Sequence, residues 1–152
     1  NLPFYYRRLA GNIPDAKTLT HLLADLDQLD FGKVKLVMDR GFYSKENLSA
    51  LFESHRKFLV SSKMSLNFIQ KNLEGIYDTF RSYEQYMPEY ELYAHTVQSV
   101  WEYTQPRPYK GDSLTKKRRI YLHYYFNIEK AAEEEKRFDK RLIERREELM
   151  ED

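Results

Sequence analysis

The apolar positions of this chain change period several times, and each change marks an element. Residues 2–9 alternate, with Leu2, Phe4, Tyr6 and Arg8 on one face and Tyr5, Arg7 and Leu9 on the other, which predicts a strand. Gly11-Asn12-Ile13-Pro14 breaks it. Asp15 then stands at a helix N-cap position, ahead of Leu19, Leu22, Leu23 and Leu26, whose i, i+3, i+4, i+7 spacing lines one helical face. A turn at residues 30–33 leads to Val34, Leu36 and Met38, alternate positions of a short strand that stops on Asp39-Arg40-Gly41. Gly41 is expected to permit a sharp turn, and Ser44 to cap a helix from Lys45 that carries Leu48, Leu51 and Phe52 on one side. Phe58-Leu59-Val60 follows as a second short strand, expected to be buried. The order β-α-β-α-β over residues 2–61 predicts an α/β layer with helices packed on a sheet. That stretch is too short to cover both faces of a sheet. With Asn1 opening the chain inside a strand and without an initiator methionine, the expectation is a piece of something longer.

Beyond residue 61, Ser65 is expected to cap a helix carrying Leu66, Ile69, Leu73 and Ile76, with Gly75 near its end. Residues 77–90 read as irregular and aromatic. Residues 92–103 and 118–126 read as two strands, the second with Ile120, Leu122, Tyr124 and Phe126 facing one way and Tyr121, His123 and Tyr125 the other. Between them lies the proline- and glycine-punctuated loop Gln105-Pro106-Arg107-Pro108-Tyr109-Lys110-Gly111-Asp112. Residues 128–150 read as a long charged helix in which Glu133 reaches Arg137 at i+4, and Ala131, Phe138, Leu142 and Leu149 form a thin apolar seam. So sparse a seam predicts packing on a single neighbour or on a returning helix, with the charged positions solvated. The natural division is a core over residues 1–76 and a β-rich and helical unit over residues 77–152.

Composition narrows the function classes. Basic and acidic residues nearly cancel, 25 against 24, so bulk charge gives no support for nucleic-acid binding and any such role must rest on local clusters. The absence of cysteine removes disulfides and thiolate metal sites and fits an intracellular protein. No apolar run approaches membrane-spanning length. The 13 tyrosines, most of them after Tyr77, are most simply aromatic strand faces.

Asp39 is the leading candidate for chemistry. It follows a strand at the carboxyl edge, where ligands collect in open α/β sheets, although a lone acid there also serves to cap a turn. Arg40 has two readings, a DNA phosphate or a nearby acid. Asn12 is read mainly as a turn residue and Asp15 as a cap. His21, His55, His95 and His123 lack ligand-like spacing. Lys116-Lys117-Arg118-Arg119 is the strongest basic cluster, joined in sequence by Arg107 and Lys110 and interleaved with Tyr103, Tyr109 and Tyr121, a pattern suited to tracking a DNA backbone, although a basic run at the shoulder of a hairpin is also ordinary. No glycine-rich phosphate loop and no nucleophile-elbow serine is present.

The segment Val37-Met38-Asp39-Arg40-Gly41-Phe42-Tyr43-Ser44, with Gly11-Asn12-Ile13-Pro14-Asp15 and Tyr5-Tyr6-Arg7 before it, resembles the central part of insertion-sequence transposases of the DDE class. The resemblance is close over residues 2–63 and looser beyond. It implies a partial ribonuclease-H-like mixed sheet with flanking helices, followed by a β-hairpin plus long-helix insertion. It also implies three separated carboxylates, Asp, Asp and Glu, that hold Mg²⁺ (or Mn²⁺), of which Asp39 matches the second. The first would lie before Asn1, and Glu144, Glu147 and Glu148 lack the context of the third. The implied parent cleaves and joins transposon DNA, with transposon ends and target as partners, a homodimer in the DNA complex, no membrane, and a cytoplasmic, nucleoid-associated location. The piece itself is expected to be inactive. Two rivals stay open: a transposase-derived DNA-binding or self-association module with Asp39 idle, and a phosphoacceptor α/β domain using Asp39 as nucleophile.

Overall fold

The computed structural model describes residues 6, 8, 15–106, 111 and 113–151. The elements are α1 (Asp15–Gln28), β1 (Lys35–Met38), α2 (Lys45–Glu53), β2 (Lys57–Val60), α3 (Asn67–Glu74), β3 (Tyr86–Met87), β4 (Leu92–Pro106), β5 (Ser113–Phe126) and α4 (Ile128–Glu151), with short 3-10 turns between some of them. Of the strand expected over residues 2–9 only Tyr6 and Arg8 are described, both exposed and neither in a strand, and the break at residues 11–14 lies outside the described residues. The architecture is mixed α/β, with one parallel and one antiparallel sheet among the described residues. The chain divides into two compact units, Asn1–Leu66 with Val100–Arg118, and Asn67–Ser99 with Arg119–Asp152.

In the first unit β1 and β2 pair in parallel, Leu36 opposite Phe58 and Met38 opposite Val60, with α2 as the connection between them. Because successive side chains alternate, these four share the inward face, while Lys35, Val37, Lys57 and Leu59 share the other. Leu59 is 56% exposed and Val37 78%, which corrects the expectation of a buried second strand. Three consecutive apolar residues there do not mean that both faces are covered.

The core is built by Leu19, Leu23 and Leu26 of α1, Leu36 of β1, Leu48 and Leu51 of α2, and Trp101 and Tyr103 of β4, all buried. The leucine spacing on α1 therefore delivers the face it predicted. Phe52 meets Phe58 edge-on at 5.2 Å and stacks on Tyr103 at 6.1 Å. Each fully buried leucine of this kind contributes roughly 1.5–3 kcal/mol.

Both helices of this unit end in the same way. Phe31 N–H donates to Leu26 O and Asp30 N–H to Asp27 O, with Asp30 at φ 57°; Arg56 N–H donates to Leu51 O and His55 N–H to Phe52 O, with His55 at φ 54°. These are Schellman caps, which satisfy the last carbonyls of a helix through one left-handed residue. The Arg56 side chain, 3% exposed, then donates to Phe31 O and to the Asp27 carboxylate. One guanidinium thus ties together both helix C-termini, where the backbone dipoles favour a cation.

In the second unit, β3 and β4 are antiparallel, with Tyr86 opposite Tyr93 and their rings 5.1 Å apart. The region expected to be irregular thus supplies a short strand. Helix α3 begins at Asn67, so Ser65 lies too far upstream to cap it and Ile76 falls beyond its end. Ile69, Phe80, Leu122 and Tyr124 form the buried centre, and the Tyr124 hydroxyl donates to Ile69 O at 2.7 Å. Phe80 stacks on His95 and the Arg81 guanidinium lies 4.4 Å from the Phe126 ring centre. The predicted alternation of β5 holds: Leu122 and Tyr124 are buried while Tyr121, His123 and Tyr125 are exposed.

Asn127 caps α4 by accepting from Lys130 N–H at 2.9 Å. Among the described residues the ion pairs along α4 are Lys140–Glu144 and Arg145–Glu148, in place of the expected Glu133–Arg137. Its seam is bare, with Phe138 and Leu142 each 53% exposed.

Candidate functional site

The carboxyl edge of the parallel pair is built by local hydrogen bonds. β1 ends at Met38, and Asp39 continues in extended backbone before the chain tightens into the 3-10 turn Arg40–Phe42. Asp39 Oδ1 accepts from Gly41 N–H at 2.8 Å. Gly41 does not use a left-handed backbone, so the turn's sharpness comes from the 3-10 geometry and the aspartate cap rather than from glycine's extra freedom. Ser44 Oγ accepts from Asn47 N–H at 3.0 Å, capping α2 as the sequence predicts. Asn47, only 4% exposed, turns its side-chain amide back onto Phe42 O at 2.8 Å. That bond fastens the turn after Asp39 to the helix behind it.

Asp39 is exposed. One of its oxygens caps the turn, and the other makes no hydrogen bond among the described residues. Arg40 is also exposed and forms no ion pair among the described residues, so neither reading of its role is decided by a partner. On the neighbouring strand, Ser61 N–H donates to Met38 O at 3.2 Å, carrying the ladder one step past β2, and Ser62 Oγ is buried without a partner among the described residues. Tyr43 closes the turn, and burial pushes its phenol up from the ordinary value.

The turn and helix cap were legible because their partners lie within five residues. The sequence reading does not single out Asn47 or Ser62. The signal for Asn47 was a polar residue at the third position after a cap, beside the apolar positions of α2.

The basic run lies on β5, and strand alternation divides it: Lys117 and Arg119 are in phase with the wet face, Lys116 and Arg118 with the other. Lys117 Nζ is 2.6 Å from Glu102 Oε1 on β4, so its charge is already partnered. Tyr103 is 5% exposed and its hydroxyl is buried without a partner among the described residues, which removes it from the expected aromatic interleaving. Arg107, Tyr109, Lys110 and Asn12 lie outside the described residues. His55 serves a helix terminus, and His123 Nδ1 is 2.8 Å from Thr96 Oγ1.

Among the described residues no three His, Asp or Glu side chains come together to hold a metal ion. Asp39 is a hard oxygen donor of the kind Mg²⁺ accepts, but one carboxylate does not make the cage that a pair of divalent cations requires. The described residues alone therefore do not fit a two-metal site. None of their helices is long and apolar enough to cross a membrane.

Comparison with known proteins adds the family. The chain matches the family described as Transposase DDE domain over residues 3–147. No curated protein and no solved structure gives a significant match. The family match takes in the parallel pair with Asp39, both long strands and most of α4, and the chain accordingly belongs to the transposase DDE domain family.

Proposed function

We propose that the chain is the central part of a DDE transposase that cleaves transposon DNA and joins its ends to a target. Residues 1–76 would be part of a ribonuclease-H-like catalytic core and residues 77–152 its insertion. The observation that carries this reading is Asp39 at the carboxyl end of a strand in a parallel β-α-β unit, exposed, within a chain of this family. Asp39 is the second of three metal-holding carboxylates, and the other two come from outside the described residues. Bound Mg²⁺ or Mn²⁺ would activate the attacking oxygen and stabilise the leaving one. The chain's own part is positional: Ser44 and Asn47 hold the turn that aims Asp39.

DNA is the partner, with a homodimer formed on it in a cytoplasmic, nucleoid-associated setting. Arg40, Lys116, Arg118 and Arg119 are the candidate phosphate contacts, with Lys117 contributing less because Glu102 competes for it. Neutralising the four residues of the cluster should flatten the dependence of log affinity on log salt by roughly 0.9 for each phosphate no longer neutralised by the protein. An unchanged slope removes them from the interface.

The decisive experiment is Asp39→Asn in a protein that carries all three carboxylates. Asparagine retains the oxygen that caps Gly41 but not the charge, so folding and DNA binding should persist while strand cleavage is lost. Cleavage at the wild-type rate overturns the assignment. The chain of residues 1–152 alone should neither hold Mg²⁺ tightly nor nick DNA, and metal-dependent nicking by it also refutes the reading. A non-catalytic DNA-binding or self-association module remains the alternative, favoured by the cap that Asp39 makes and by the bare seam of α4. It predicts that Asp39→Asn changes nothing in any DNA assay.

A further inference from the structure

We propose that the outward row Arg119, Tyr121, His123 and Tyr125 of β5 is a platform on which the bases of single-stranded DNA stack. The observation is an aromatic row where a half-wet strand ordinarily carries polar side chains. Ile120, Leu122, Tyr124 and Phe126 turn inward, whereas Tyr121 is 51% exposed, Tyr125 66% exposed, and Arg119 and His123 are exposed between and beside them.

Spacing makes the row specific for separated bases. Alternate residues of a strand stand about 6.6 Å apart, while stacked bases in a duplex follow one another at about 3.4 Å. A gap of about twice the stacking distance leaves room for one base between neighbouring rings. A paired, stacked duplex offers no base to that gap, and an unpaired strand does. His123 is held in place by its contact with Thr96 at 2.8 Å, so the middle ring is already oriented. The outward neighbours on β4, Thr96 and Gln98, carry no charge that would repel phosphate, and Arg119 at one end supplies an attraction for it. Sheet faces bearing aromatic side chains bind unpaired bases in this way in other nucleic-acid modules, and such stacking tolerates any sequence.

The inference rests on the proposed DNA-processing role for its choice of DNA, and goes beyond it by naming the strand state and the residues. The test is fluorescence anisotropy of the full chain with one mixed-sequence oligonucleotide, single-stranded and as its duplex, with circular dichroism verifying the fold of each variant. Wild type should prefer the single strand. Tyr121→Leu and Tyr125→Leu keep an apolar side chain on the strand but remove the ring, and each should weaken single-strand binding at least about fivefold while duplex binding changes less than about twofold. Tyr121→Phe and Tyr125→Phe should bind as wild type. Leucine variants that bind the single strand unchanged, an equal loss on both DNA forms, or a wild-type preference for duplex would each overturn the platform. None of these variants touches Asp39, so a failed platform leaves the cleavage test intact, and a failed cleavage test leaves the anisotropy readable.

Discussion

Asp39 shows how one side chain can satisfy two descriptions. Its Oδ1 ends a strand and starts a turn, which is ordinary structural work, and its remaining oxygen stays open to solvent. The two roles separate by substitution: Asp39→Ala should lower stability by about 1 kcal/mol through loss of the cap, and Asp39→Asn by less than about 0.5 kcal/mol, read from urea midpoints. Tyr124 gives a second residue-scale prediction. Burial raises its phenol above the ordinary value of 10.0. The folded state therefore holds that proton more tightly than the unfolded chain. The resulting stabilisation is complete below about pH 10 and is lost as pH rises through the folded value. Tyr124→Phe should cost about 1 kcal/mol at neutral pH by deleting the bond to Ile69 O, and should flatten the alkaline fall in the urea midpoint. Residues whose partners are close in sequence, such as Ser44, were legible in advance. Arg56 was not, because its partners Phe31 and Asp27 lie 25 and 29 positions away and nothing local marks an arginine as buried.

At the scale of elements, α2 and α4 make opposite use of apolar residues. Leu51 of α2 is 1% exposed, and Leu51→Ala should cost about 2–5 kcal/mol. Phe138 of α4 is 53% exposed, and Phe138→Ala should change the unfolding free energy by less than about 0.5 kcal/mol, measured on the same chain by denaturant titration. Periodicity announced both helices and the two faces of β5, because a helical or strand repeat survives whatever it packs on. It misjudged β2, where Phe58-Leu59-Val60 is apolar at every position but only alternate residues turn inward. The start of α3 was misjudged for a related reason: Ser65 has the right chemistry for a cap, but the turn from Lys63 to Leu66 intervenes before the helix begins.

For the molecule as a whole, the family membership is carried by nearly the full chain, whereas the chemistry proposed for it is carried by one exposed acid. Under the proposed function the metal-holding carboxylates come from distant segments, each of which would carry little imprint of the others, so the site was legible only as a strand-end aspartate with a turn behind it. The first unit, in contrast, has a well-defined keystone. Arg56→Ala should cost about 2–4 kcal/mol in denaturant titration, since it removes the guanidinium bonds to Phe31 O and the Asp27 carboxylate and opens a void among packed side chains.

That keystone sits where both parallel strands begin, and Asp39 stands where the first of them ends. The amide protons of Phe31 and Arg56 should accordingly exchange with solvent at matched, slow rates, and the acid's location should be as rigid as the slower of those two corners.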